Sequence, residues 1–375
     1  MTLTLKNKTI GPDAPPLLIA EISANHDRDL DQALALVDIA ADAGWDALKL
    51  QTYNADSLTI PSRHPSMRID PIWGKDTLYE LYQSAGMPMA FHAPLFARAR
   101  QRGLLPFTSI YDPRDLDFIE SLGCAVYKIA SFEMTFDDLL TAVAGTGKPI
   151  ILSTGMAVMD EVAHALNVLD KGNSGPVVLL HCCSSYPAPL DQINLRAMTA
   201  MGDAFGRMVG FSDHTIGSRG PLAAAAMGAV AIEKHFTNDP ARPGPDHRFS
   251  ATPAVMAEIA AGVAGQMGVQ INQPGQHGFG RKVNLAVSRD RIGAGGDRHD
   301  PAIGDDDGRR AARIARSVGD DAAGPDRHGF GSKRGGDCQC GQSGDHAAAE
   351  FLHEKFLPCL VQRRFAVQLM ARAQV

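Results

Sequence analysis

The sequence predicts an α/β fold, a closed parallel (β/α)8 barrel of the TIM type over residues 1–268. Three observations predict it. Short apolar runs alternate with amphipathic stretches from Pro16 to about Gly268. There are eight such runs, and they are nearly continuously apolar, as strands buried on both faces must be. The amphipathic stretches between them carry helical spacing and stop at glycines, which is the strand–helix repeat of a barrel.

The predicted strands are Leu17–Ser23, Ala47–Thr52, Leu105–Ile110, Val126–Ser131, Pro149–Thr154, Val177–Ser184, Met208–His214 and Ala231–Thr237. The first helix, Leu30–Ala43, places Leu30, Ala33, Leu34, Val37 and Ala41 on one face and ends at Gly44. Pro113–Leu122 ends at Gly123, and Asp137–Ala144 ends at Gly145. Val158–Leu169, Leu195–Ala204, Pro221–Met227 and Pro253–Met267 complete the set. An open doubly wound sheet is the competing fold. It needs a glycine-rich phosphate turn after the first strand, and Ser23-Ala24-Asn25-His26 stands there instead.

One connection is long. Tyr53 to Met89 separates the second strand from its main helix and contains Trp73 and a short helix, Asp76–Ser84. Long βα connections lie over the mouth of a barrel, so a substrate-side lid is expected here, with a plain surface excursion as the alternative.

Composition bounds the function. The 375 residues are 45% hydrophobic and 21% charged, with a net charge of −6. No basic field for nucleic acid or an anionic membrane is indicated. No apolar run is long enough to span a bilayer, and Met1 to Gly11 are polar, unlike a secretory signal. Cys124, Cys182 and Cys183 fall in or beside core elements, and Cys338, Cys340 and Cys359 lie in the tail, with no regular disulfide framework. A reduced, cytoplasmic protein is expected.

The chain changes character near Gln270. From there to His346 it is crowded with Gly, Asp, Arg and His, and large aliphatic residues become scarce. Such a segment cannot bury enough surface to offset chain entropy, so residues 269–375 are expected to be a degenerate tail, disordered or poorly packed. Only Ala347 to Val375 is apolar enough for a helix or two.

Polar residues at the C-terminal ends of barrel strands point into the active site. Glu21 ends strand one, and Lys49 and Gln51 end strand two. Thr108, Ser109 and Tyr111 end strand three, and Lys128, Ser131 and Glu133 end strand four. Ser153 and Thr154 end strand five, and Ser184 and Tyr186 follow strand six. Ser212, Asp213 and His214 end strand seven, and Glu233, Lys234, His235 and Thr237 end strand eight. Alternation puts Lys49 with Gln51 on one face and Glu233 with His235 on one face, turning Lys234 away. It also sets Ser131 on the face opposite Lys128.

Two lysines and several hydroxyls at one mouth make a phosphate or carboxylate site. The competing reading pairs those lysines with Glu21 or Glu133. Lys128 sits in Val126-Tyr127-Lys128-Ile129-Ala130, where a buried ammonium is costly without an anionic partner. His214 and His235 end neighbouring strands about 4.8 Å apart, so they suit one divalent ion such as Mn2+ or Zn2+. A structural or acid–base role for each histidine is the alternative.

These residues resemble a known family, the sialic acid synthases that make N-acetylneuraminate, legionaminate and pseudaminate. The matching motifs are Ile19–His26, Ala47–Thr52, Tyr127–Glu133, Leu152–Met156, His181-Cys182 with Tyr186-Pro187, Phe211–Thr215, Ile232–Thr237 and Gly244–His247. Their order covers residues 16 to about 265. Ser23-Ala24-Asn25-His26, and Ile72-Trp73-Gly74 followed by Thr77–Tyr82, look most like the pseudaminate branch. Arg242–Asp246 is more like the neuraminate or legionaminate branch.

The resemblance implies a C–C bond-forming transferase using phosphoenolpyruvate, an N-acetylated amino-sugar aldehyde and a divalent metal, Mn2+ or Mg2+. Lys49, Ser109, Lys128, Ser131, Ser153 and Ser212 would hold phosphoenolpyruvate, and His214 and His235 the metal. Glu21 would handle protons at the aldehyde oxygen. Gln51, Tyr111, Glu133, Tyr186 and Asp246 would meet the sugar. The catalytic set is then Glu21, Lys49, Lys128, His214 and His235. The implied chemistry is attack of the enol carbon on the aldehyde, addition of water to the resulting cationic centre, and loss of phosphate by C–O cleavage.

The chain departs from that family at its end. Members carry an antifreeze-like domain that reaches into the partner's site in a homodimer and contributes an Arg. Gly280-Arg281-Lys282-Val283-Asn284-Leu285 resembles the linker to it, but the residues beyond Leu285 have the composition of a shifted reading frame in a GC-rich gene. A barrel lacking that cap would bind its substrates yet turn over poorly. Two further readings compete: a heptulosonate or octulosonate phosphate synthase, which would need extra basic residues for a second phosphate, and a catalytically silent product of a damaged gene.

Overall fold

The computed structural model describes residues 2–6, 8–70 and 74–267. A hairpin of β1 (Leu3–Leu5) and β2 (Lys8–Ile10) leads into β3 (Leu17–Glu21), α1 (Leu30–Asp42) and β4 (Ala47–Thr52). The long excursion carries α2 (Ala55–Leu58) and α3 (Leu78–Ala85) before α4 (Met89–Gln101). Then come β5 (Leu105–Ile110), α5 (Leu116–Ser121), β6 (Tyr127–Ile129), α6 (Asp137–Ala144) and β7 (Ile150–Ser153). The last elements are α7 (Met159–Lys171), β8 (Val177–Cys182), α8 (Arg196–Phe205), β9 (Met208–Asp213), α9 (Arg219–Ala226), β10 (Ala231–His235) and α10 (Pro253–Met267).

Strands β3 to β10 pair in chain order, every pair parallel, and β10 closes on β3. The predicted (β/α)8 barrel is the observed fold. Every residue of β3 is buried, as are those of β5, β6, β7 and β10. One face of each strand fills the barrel interior and the other meets the helices, which is why alternating hydropathy is absent.

Local chemistry starts and stops the helices where the sequence places them. The Asp29 carboxylate accepts from the backbone N–H of Asp31 and Gln32 at the start of α1. Thr77 and Glu80 form a reciprocal capping box on α3. Gly44 and Gly206 take positive φ, +75° and +61°, just beyond α1 and α8.

The differences lie at element ends. The predicted strand Val126–Ser131 is shorter in the structure, Tyr127–Ile129, because the pairing stops where the chain turns into the rim connection. The predicted helix Pro113–Leu122 begins as a 3-10 turn, Pro113–Asp115, with Asp112 accepting from Arg114 N–H, and only then becomes α5. The N-terminal hairpin has no counterpart among the predicted strands. Leu3, Leu5 and Ile10 alternate into the core, and Lys8 pairs with Asp46 at 2.7 Å beside the start of β4. The 269–375 tail, the linker resemblance, Cys338, Cys340, Cys359 and Trp73 lie outside the described residues. Cys124, Cys182 and Cys183 are free thiols. Among the described residues no helix is long and apolar enough to cross a membrane.

This packing sets two testable expectations. A Cβ on Gly210 in β9 would stand 2.3 Å from the Ala231 carbonyl oxygen and 2.8 Å from Leu180 Cδ2. Backbone cannot yield there without opening the ring. Gly210→Ala should therefore cost about 1–3 kcal/mol or more, read as a lowered urea midpoint. Buried His26 lies just past β3 and packs edge-on to Phe91. Burial lowers its pKa from the usual 6.5 to about 4, with Asp27 opposing. The folded pKa is depressed, so the stability of the neutral ring is complete above 6.5 and is lost as pH falls through about 4. His26→Gln should flatten the acid-side loss of stability by up to about 1.4 kcal/mol per pH unit. An unchanged slope between pH 6.5 and 4 would refute that assignment.

Candidate active site

A cavity of about 210 Å³ opens at the C-terminal rim of the strands. Strand register assembles its wall. Glu21 of β3 lies opposite Lys49 on β4 and His235 on β10, and Glu233 lies opposite Ser212 on β9. Alternation then sends Lys49, Gln51, Ser212, His214, Glu233 and His235 to the cavity. Asp213 and Lys234 occupy the other face, where they form an ion pair, and Lys234 Nζ also donates to the Thr215 carbonyl at 2.5 Å. Lys234 is thus turned away, as alternation requires.

The cationic side of the wall has two unequal lysines. Lys49 forms an ion pair with Glu21, lies 3.4 Å from Glu233, and donates to Ser109 Oγ at 3.2 Å. Burial disfavours its ammonium, but the two carboxylates outweigh that and hold its pKa above the usual value. Among the described residues Lys128 donates only to neutral acceptors, Ser153 Oγ at 2.6 Å and the Ile129 carbonyl at 3.0 Å. Among the described residues no carboxylate forms an ion pair with it. It is 2% exposed, and burial pulls its pKa down.

The carboxylates also differ. Burial raises Glu21 to about 7, against the pull of Lys49. Glu233 resists burial, because Lys49 and Lys128 hold its carboxylate below the usual range. Glu21 is fully buried and sits behind the wall, with Oε1 accepting from Ser23 N–H at 2.7 Å. Ser109 is likewise behind Lys49 and does not reach the cavity surface. Ser131, Ser153 and Ser212 do reach it. Ser131 shares the wall with Lys128, contrary to the strand alternation expected, because β6 ends at Ile129 and residue 131 belongs to the following turn. Its Oγ accepts from Gly155 N–H at 3.0 Å and meets Cys182 Sγ at 3.2 Å.

His214 and His235 stand together, with ring centroids 5.4 Å apart. His214 Nδ1 is 2.9 Å from the Cys183 carbonyl, a bond that places its proton on Nδ1 and leaves the Nε2 lone pair open. Burial lowers the His214 pKa to about 4 and pushes His235 well below its usual value, so both rings are neutral near pH 7. Among the described residues His235 Nδ1 is buried without a hydrogen-bond partner. Two imidazoles about 2.1 Å from a shared ion put their centroids roughly 4.5–5.5 Å apart, so the pair fits a divalent metal. Among the described residues no third His, Cys, Asp or Glu joins them, which leaves other coordination positions for water or substrate.

The opposite wall is polar and aromatic. Tyr186 lies over His214 at 4.2 Å between centroids. Gln51, Tyr111, Glu133 and Asp246 all line the cavity. The excursion after β4 supplies Tyr53, Leu58, Leu81, Tyr82 and Ala85, so its described part lines the cavity on the substrate side. Arg28 Nη1 anchors it by donating to the carbonyls of Gln83 and Gly86.

Glu233, Cys182 and Ser23 are among the wall residues that have no role in the sequence-based assignment. Glu233 shares the inner face with His235, yet only the ion pairing across the cavity gives it a function. Cys182 is the last residue of β8, and its Sγ meets Ser131 Oγ at the wall. Ser23 reads from sequence as the start of a motif and not as a wall residue. No local pattern marks Ser23, because its neighbours come from β4 and from the connection after β10.

A family model described as the NeuB family matches residues 36–268. The pseudaminic acid synthase of Helicobacter pylori is 42% identical over 237 residues, covering 63% of this chain and 70% of that protein. The N,N'-diacetyllegionaminic acid synthase of Campylobacter jejuni is 38% identical over 240 residues, covering 63% and 72%. The solved structure of an N-acetylneuraminic acid synthetase from Leptospira borgpetersenii superposes with a TM-score of 0.66 at 32% identity, covering 73% of this chain and 93% of that one. Barrel, rim and matches agree: the chain belongs to the NeuB family, an enzyme family of the sialic acid synthase type.

Proposed function

We propose that this cavity joins phosphoenolpyruvate to a six-carbon N-acetylated amino-sugar aldehyde, giving phosphate and a nine-carbon acid, with pseudaminate the favoured product. The observation that carries this reading is Lys128. A buried ammonium with only neutral acceptors is costly, and an anionic substrate at the floor of the cavity removes that cost. Lys49 and the hydroxyls of Ser131, Ser153 and Ser212 extend the same anion site, with Ser109 positioning Lys49 from behind.

The new C–C bond forms from the enol carbon to the aldehyde carbon, whose oxygen takes up a proton. The former enol C2 becomes an oxocarbenium centre, and the carboxylates of Glu233 and Glu21 oppose its charge. Water adds at C2 and gives up a proton, and phosphate departs with the C–O bonding pair. Glu21, poised near pH 7, exchanges a proton through Lys49 and not by direct contact. His214 and His235 would hold a divalent ion, Mn2+ or Mg2+, which when bound supplies Lewis acidity toward the aldehyde oxygen. Tyr186, Tyr111, Glu133, Gln51 and Asp246 orient the sugar. Arg242 of the legionaminate-like run is an ion-pair partner of Asp27 outside the cavity wall, while Pro245 and Asp246 of the same run line the cavity.

The test is phosphate release and product mass spectrometry with phosphoenolpyruvate, Mn2+, and a panel of 2,4-diacetamido sugars and N-acetylmannosamine. A nine-carbon product from a diacetamido sugar is expected. Retained binding of phosphoenolpyruvate and Mn2+ without turnover would favour the uncapped, impaired barrel instead. Replacing His214 or His235 by Ala should abolish metal-dependent phosphate release and weaken Mn2+ binding in titration, with the circular dichroism spectrum unchanged. Activity surviving both changes would remove the metal role. Lys128→Met should raise the KM for phosphoenolpyruvate at least about tenfold while leaving the barrel folded, since a charge-assisted contact is lost and an unpaired buried charge is relieved.

A further inference from the structure

Ser23 adopts φ +50°, a left-handed backbone that a side chain other than glycine occupies only at a cost. It stands on the cavity wall just past β3. Its hydroxyl donates to Asp246 Oδ2 at 2.5 Å and accepts from Gln51 Nε2 at 3.2 Å. The backbone N–H of Ala24 reaches the same Asp246 oxygen at 3.2 Å. Ser23 therefore joins the end of β4 to the connection after β10, where Asp246 lies 223 positions from Ser23 in sequence.

The consequence lies in what remains free. With Oδ2 satisfied twice, Asp246 offers Oδ1, to which no described residue donates. With its amide nitrogen engaged by Ser23, Gln51 offers Oε1. A hydroxyl that donates once and accepts once fixes the polarity of both neighbours.

We infer that Ser23 is the specificity-determining positioning residue of the aldehyde site, turning Asp246 and Gln51 so that both present acceptors to the hydroxyl and amide N–H donors of a neutral acylamino polyol. This rests on the function proposed above and deepens it. Among the described residues the Ser23 hydroxyl meets only Asp246 and Gln51, and the backbone N–H that Ser23 donates to Glu21 is kept on substitution by Gly or Ala, so phosphoenolpyruvate binding is independent of the hydroxyl. Without the hydroxyl the Gln51 amide is free to rotate and present N–H groups, which repel the donors of the substrate.

The experiment uses the full chain with Mn2+. Titration calorimetry measures binding of phosphoenolpyruvate and of reduced, unreactive sugars, N-acetylmannosaminitol and 2,4-diacetamido-2,4,6-trideoxyhexitols, to the wild type, Ser23→Gly and Ser23→Ala. Glycine suits the backbone, so Ser23→Gly should melt no lower than the wild type, while Ser23→Ala keeps the strained φ. Both should bind the reduced sugar about tenfold or more weakly, with phosphoenolpyruvate affinity within about twofold. In turnover the same split should appear between the two KM values. Equal sugar affinity in wild type and Ser23→Gly would overturn the inference, as would a parallel loss for both ligands. A wild type that binds no reduced sugar at all would overturn the proposed function itself, a result distinct from either.

Discussion

Closure of β10 onto β3 is the constraint on which the site depends. A closed ring of parallel strands sends alternate side chains inward at one rim, and here they include two ammoniums and two carboxylates. Water is largely excluded there, so the charges must answer one another. Lys49 takes both carboxylates, which leaves Lys128 with a hydroxyl and a carbonyl. The same crowding raises Glu21 to about 7 while Glu233 stays ionised. An uneven division of four charges thus creates both an anion site and a carboxyl poised near neutrality.

The seam of the ring is also where the rim connections are tied together. Asp27 receives His247 Nε2 at 2.8 Å and Arg242 Nε at 2.7 Å. Asn25 donates to the Phe236 carbonyl at 2.7 Å and to Ser250 Oγ at 2.9 Å. These contacts join the connection after the first barrel strand to the one after the last. They hold Asp246 over the cavity, close to the histidine pair, with His235 Nδ1 4.0 Å from Asp246 Oδ2. The seam beneath this polar wall is thus laced by specific hydrogen bonds.

Much of this is legible in the residues. Parallel strands read as apolar runs because both faces are covered, and helix ends announce themselves through Gly44, Gly123 and Gly145. Period-two alternation predicts that Lys49 and Gln51 share a face and that Lys234 points away. The same rule fails for Ser131, where the strand has already ended, and it cannot tell that Glu21 and Ser109 stand behind Lys49 and not beside it. The hairpin at the N-terminus escapes because its strands are three residues each, too short for a periodic signal.

The sequence by itself determined the barrel, the rim at which its chemistry gathers, and the residue types available there, since local hydropathy and capping act over a few neighbouring residues. Only the tertiary structure decided which charge answers which, which hydroxyl faces the cavity, and that Ser23 orients Asp246. Those outcomes depend on strand register and on contacts between segments more than 200 residues apart, distances over which no local pattern carries information.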